Sequence, residues 1–151
     1  MTAPILIIGI GNPSRGDDAL GPLCIERLEA MQLPDVELLT DFQLQVEFAL
    51  DLAGRREVVF VDAAASGPEP YDFRPVGRVG GNSHTSHVLS PEAVLAACGR
   101  VGITPPETAL ILAIRGYGFA LGEAPSLQAT HNLEAGLALL RDRYSQKKTA
   151  G

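Results

Sequence analysis

Two short runs, Ile5-Leu6-Ile7-Ile8 and Val58-Val59-Phe60-Val61, contain no polar residue. A strand with one wet face alternates apolar and polar side chains, so unbroken apolar runs of this length read as strands covered on both faces, as in a parallel sheet. The intervening and following segments supply the covers. Leu20, Leu23, Cys24, Leu28 and Met31 recur at helical spacing, with Pro22 in the first turn, where its missing N–H costs nothing. Val36 to Thr40 reads as a second strand, and a helix is expected from about Leu44 to Ala53, carrying Leu44, Phe48 and Leu52 on one stripe and stopping at Gly54. Phe73 to Val76 has the look of a short edge strand, and Ser90 caps a helix with Pro91 at its first position. Ala109 to Ile114 forms a last core strand, and Leu133, Leu137, Leu140 and Tyr144 mark the stripe of a C-terminal helix. Strands alternating with helices predict an α/β fold: a single three-layer domain with a mostly parallel, roughly five-stranded twisted sheet flanked by helices. The domain is expected over 1–144, with 145–151 a frayed tail.

Composition removes several function classes. The chain has 151 residues, 46% hydrophobic and 20% charged, far from the signature of disorder. Its net charge is −6 and it has no dense basic cluster, so the basic footprint of a nucleic-acid binder is missing. No apolar run approaches a membrane span, and the N-terminus lacks the charged and apolar segments of a secretory signal. A cytoplasmic location is expected. Cys24 and Cys98 fall inside apolar helical patterns without metal-ligand spacing and read as buried small hydrophobes.

The polar residues of interest gather where strands end. Gly9-Ile10-Gly11-Asn12-Pro13-Ser14-Arg15-Gly16-Asp17-Asp18 follows the first strand. A Gly-x-Gly after a strand suggests dinucleotide binding, but the third glycine is missing and two carboxylates would repel a pyrophosphate. Either Asp17 or Asp18 is expected to cap the following helix. Asp62 ends the apolar third strand, where a carboxylate needs a cation, a metal or backbone donors; a turn-forming role is the alternative. In parallel sheets ligands sit beyond the carboxyl ends of the strands, which places Asp18 and Asp62 on one rim. Ser83-His84-Thr85-Ser86-His87 delivers two histidines in a Gly/Ser/Asn-rich segment, with His87 next to the Ser90 helix start. One neutral imidazole and two carboxylates would make an open three-ligand site for a borderline divalent ion. His84 reads as an exposed loop residue, and His131 falls on the face of its helix opposite Leu133, Leu137 and Leu140. The serine-hydrolase elbow and the HExxH zinc helix are both missing.

Gly9-Ile10-Gly11-Asn12, Gly16-Asp17-Asp18-Ala19-Leu20-Gly21-Pro22, Val58-Val59-Phe60-Val61-Asp62-Ala63, and His87 followed by Ser90-Pro91-Glu92-Ala93-Val94-Leu95 stand in an order that resembles the hydrogenase maturation endopeptidases. The resemblance runs over nearly the whole chain. It implies a single α/β domain that cleaves a C-terminal extension from a nickel-iron hydrogenase large-subunit precursor after nickel insertion. The metal-recognition positions it implies are Asp18, Asp62 and His87, with nickel carried by the substrate. The same three are taken as the expected catalytic residues, with Asp17 supporting the site without ligating. Asp41-Phe42-Gln43-Leu44-Gln45 replaces a Gly-rich segment of many relatives and resembles the version in maturases of soluble bidirectional or NAD-reducing hydrogenases.

Two rival readings make different demands. Gly-Ile-Gly-Asn-Pro also resembles the opening of peptidyl-tRNA hydrolases, which would require a basic channel at the loop. A non-enzymatic nickel carrier or hydrogenase chaperone would bind the metal through the same three residues without cutting, although carriers favour His-rich or Cys-rich tracts.

Overall fold

The computed structural model describes residues 2–77 and 90–145. His84, His87 and nearly all of the expected tail therefore lie outside the described residues. The elements run β1 (Ile5–Ile10), a 3-10 turn (Gly16–Ala19), α1 (Leu20–Met31), β2 (Val36–Asp41), α2 (Phe48–Asp51), β3 (Glu57–Ala64), β4 (Tyr71–Pro75), α3 (Pro91–Arg100), β5 (Thr108–Arg115) and α4 (Leu127–Tyr144). They form one five-stranded sheet in the order β2-β1-β3-β5-β4. Only β4 runs antiparallel, against β5 at one edge.

The apolar runs behave as their composition requires. Ile5, Ile7, Val59 and Val61 point into a core closed by α1 and α4, while Leu6, Ile8, Val58 and Phe60 point into a second core closed by α2 and α3. Each strand is thus buried on both faces, which is why it shows no alternation. A fully buried Leu, Ile or Val contributes about 1.5–3 kcal/mol, so the central strands carry much of the fold's stability. Ser90 caps α3 by accepting from the Ala93 N–H at 3.2 Å, with Pro91 first in the helix, as the sequence implies. Cys24 and Cys98 are free and buried, and burial pushes the Cys24 thiol up to about 12. His131 is exposed on α4. Among the described residues no helix is long and apolar enough to cross a membrane.

Two expectations need correction. The helix expected over Leu44 to Ala53 shrinks to Phe48–Asp51, flanked by turns. Leu44 packs onto the second core from an irregular segment, so its stripe-like spacing from Phe48 and Leu52 reports shared burial and not a continuous helix. Strand β3 also runs on through Asp62 to Ala64, paired in register with β5 from Asp62↔Ala113 to Ala64↔Arg115.

The glycines of the first loop are packing devices. A Cβ on Gly9 would lie 2.4 Å from the Gly21 carbonyl oxygen, and one on Gly21 would lie 2.3 Å from that of Ile10. The backbones of β1 and α1 therefore touch directly. At Gly11 a Cβ would stand 1.9 Å from the Asp18 carbonyl oxygen. The Gly-x-Gly pattern is explained by strand and helix in contact, with no phosphate required.

Candidate functional site

Strand order reverses between β1 and β3, since β2 lies on one side of β1 and the remaining strands on the other. At such a switch point the two flanking connections diverge and leave a crevice beyond the carboxyl ends of the strands. A cavity of about 560 Å³ opens there, lined by Asp18 and Asp62, by the apolar side chains of Ile10, Phe60 and Ile111, and by the start of α3.

Asp18 reaches the cavity from the 3-10 turn that follows the glycine loop. One carboxylate oxygen accepts the Asn12 backbone N–H at 2.7 Å, and the Asn12 side-chain oxygen in turn accepts the Ser14 N–H at 2.8 Å. This small turn fixes where the carboxylate points. Among the described residues its other oxygen accepts no hydrogen bond.

Asp62 projects from β3 on the α2/α3 side of the sheet, sharing that face with Phe60. It meets solvent across the cavity mouth, yet its carboxylate rests against apolar walls. Burial pushes its acid up to about 7, and the negative charge of Asp18 adds to the rise, while a hydrogen bond from the Ala63 N–H at 2.8 Å offsets only part of it. Two carboxylates sharing an apolar-walled cavity repel one another, and a bound cation would relieve both. Asp62 stands within β3, so the turn-forming role weighed for it is not realised, and its one backbone bond does not neutralise the charge.

The structure thus brings together two of the three residues singled out in the sequence, and the third, His87, lies outside the described residues. Among the described residues no group of three His, Cys, Asp or Glu side chains is gathered to hold a metal.

The expected capping role falls to neither member of the Asp17-Asp18 pair: no side-chain cap bond forms at the 3-10 turn or at α1. Asp17 is fully buried. One of its oxygens accepts the Ser126 N–H at 2.6 Å, and the other accepts the Tyr117 N–H at 2.7 Å, the Gly118 N–H at 3.1 Å and the Ser126 hydroxyl at 2.9 Å. Burial by itself would raise this acid, but the four donors outweigh it and hold the carboxyl below the usual range. Asp17 is a latch that ties the acidic loop to the segment after β5 and to the cap of α4. The sequence signal for it was the doubled aspartate alone. Arg74 and Glu92, which sequence reading passed over, also line the cavity.

Arg74 is the single cation among the described lining residues, against Asp18, Asp62 and Glu92. These described residues do not form the basic channel that a tRNA substrate would require.

Neither a scan of family models nor a search of curated proteins returns a match. Solved structures do. The [NiFe] hydrogenase maturation protease HycI from Thermococcus kodakarensis KOD1 is 28% identical with a TM-score of 0.73, over 93% of this chain and 91% of that one. An endopeptidase from Escherichia coli is 25% identical with a TM-score of 0.66, over 92% and 93% of the two chains. The E. coli hydrogenase maturating endopeptidase HybD, 24% identical over 92% of this chain and 90% of its own, has a TM-score of 0.76 and shares the fold. With likeness in fold and sequence over almost the full length of both chains, this chain is similar to the [NiFe] hydrogenase maturation protease of T. kodakarensis and, like the endopeptidases it matches, is a peptide-bond hydrolase.

Proposed function

We propose that this chain removes the C-terminal extension of a nickel-iron hydrogenase large-subunit precursor once nickel is in place, acting in the cytoplasm. It finds the bond by gripping the substrate's nickel with Asp18, Asp62 and His87. The observation that carries this reading is the convergence of Asp18 and Asp62 on one open cavity at the β1/β3 switch point. Carboxylates and a neutral imidazole suit a borderline divalent ion, and a three-ligand set leaves room for the groups the substrate itself contributes.

Hydrolysis adds water across the peptide bond, leaving a new carboxylate on the mature subunit and a new amine on the released extension. Asp18 and Asp62 hold the substrate's metal, and with it the scissile carbonyl, at a fixed distance from the attacking water. Such positioning removes much of the entropic barrier. One carboxylate of the pair accepts the proton of that water. The Asp41–Gln45 segment, which contributes Phe42, Gln43 and Leu44 to the cavity, favours a soluble bidirectional or NAD-reducing hydrogenase as the native partner.

Nickel-loaded and nickel-free precursors are incubated with the purified protein, and the size shift of the large subunit is followed. Cleavage of the loaded form alone is expected, with loss of cleavage in Asp18→Ala, Asp62→Ala and His87→Ala. Processing retained in all three variants would sink the proposal, and stoichiometric nickel binding without cleavage would favour a carrier.

A further inference from the structure

The cavity has a far side that the acid pair does not use. Cross-strand partners share a face of the sheet, and the register sets Asp62, Ala113 and Asp72 in one row, with Phe60, Ile111 and Arg74 in the next. Arg74 therefore stands on the same face as Asp62, two strands away. With strands about 4.8 Å apart, β4 lies about 10 Å from β3, the span of about three extended residues. The Arg74 Nε donates to Asp72 at 3.0 Å, which steadies the guanidinium, and its two terminal nitrogens donate to nothing among the described residues. Both members of that pair are partly exposed, so it contributes little to stability as a surface ion pair.

Resting on the reading of the site given above, we propose that Arg74 binds a carboxylate of the released extension, about three residues beyond the scissile bond. A guanidinium fork offers parallel N–H donors at the spacing of carboxylate oxygens. Elsewhere in the cavity Asp18, Asp62 and Glu92 repel an anion, whereas beside Arg74 the guanidinium offsets Asp72 through its Nε and keeps its two terminal nitrogens for a second carboxylate. A substrate laid from the acid pair toward β4 is thus cationic at one end, through its metal, and anionic at the other. Arg74 then fixes the direction in which the extension leaves the metal. The carboxylate is either an acidic side chain of the extension or the end of the polypeptide.

Steady-state processing of nickel-loaded precursor by wild type and Arg74→Gln tests this, on three substrates. These are the natural extension, the same extension with its Asp and Glu replaced by Asn and Gln, and one made by ligation with an amidated C-terminus. For the natural substrate, Arg74→Gln is expected to raise KM about tenfold, the scale of one charge-assisted contact, with kcat and the thermal midpoint retained. One neutralised substrate should raise the wild-type KM by the same factor and erase the difference between the two enzymes, and its identity names the source of the carboxylate. An Arg74→Gln KM equal to wild type, or a KM increase that persists on both neutralised substrates, overturns the proposal. Loaded precursor left uncut by wild type overturns the reading of the site, and this inference with it.

Discussion

Asp17→Asn tests whether the acidic loop is held by the latch. The change keeps size and shape but leaves one acceptor oxygen where the carboxylate has two. Oriented to satisfy Tyr117, Gly118 and the Ser126 hydroxyl, the amide turns its NH₂ toward the Ser126 backbone N–H, which the carboxylate engages at 2.6 Å. A buried donor left without an acceptor costs about 1–3 kcal/mol, and the three remaining bonds lose their charge assistance, worth up to about 1 kcal/mol each. The sum is about 1–6 kcal/mol, a large part of the roughly 5–15 kcal/mol that holds a domain of this size together. With a slope near 2 kcal/mol/M, the urea midpoint should fall by about 0.5–3 M. Asp18→Asn gives the contrast, since Asp18 accepts a single backbone bond and is half-buried. Its midpoint should move by less than about 0.5 M while precursor processing is lost. An Asp17→Asn midpoint within about 0.5 M of wild type would refute the latch.

Gly21→Ala pits helix propensity against packing. Propensity favours alanine by about 1 kcal/mol, but its Cβ would lie 2.3 Å from a backbone oxygen and 2.6 Å from a backbone nitrogen of Ile10. Net destabilisation of about 2–3 kcal/mol is expected in thermal unfolding, and a raised midpoint would show that β1 and α1 can separate freely. Asp62→Asn should abolish processing and stabilise the metal-free protein in a pH-dependent way. Because the folded-state acid sits near 7 while the unfolded one titrates near 4, wild type binds the proton more tightly when folded and loses stability as pH rises across that window. The Asn variant should therefore melt higher than wild type at pH 8 and match it at pH 4; equal midpoints at pH 8 would contradict the assigned environment.

The sheet was legible because parallel strands covered on both faces leave unbroken apolar runs, and Ile5–Ile8 and Val58–Val61 have no other reading as pronounced. The cap at Ser90 was legible because its partner is three residues away. Asp18 and Asp62 could be paired from a topological rule, since one follows a central parallel strand and the other stands near the carboxyl end of its neighbour. What the sequence hid is what depends on distant partners. Asp17 meets residues about a hundred positions on, and its neighbour Asp18 looks identical in sequence while facing the cavity. Arg74 sits on an edge strand where an exposed arginine is ordinary, and only the register across β5 shows that it shares a face with Asp62. The overlong second helix failed for the opposite reason: Leu44, Phe48 and Leu52 are all drawn to one core, and helical spacing is only one way of getting there.

The latch has a bearing on when the site comes into being. During synthesis Asp17 emerges early, and its last donor, Ser126, comes 109 residues later. At about 5–20 residues per second that interval is on the order of ten seconds. Through it the acidic loop has no anchor on its far side, and Asp17 is one more loose carboxylate beside Asp18. The helix made last is the one that completes the grip on the loop made first, so a nascent or truncated chain that stops short of Ser126 holds Asp17 with half of its four donors.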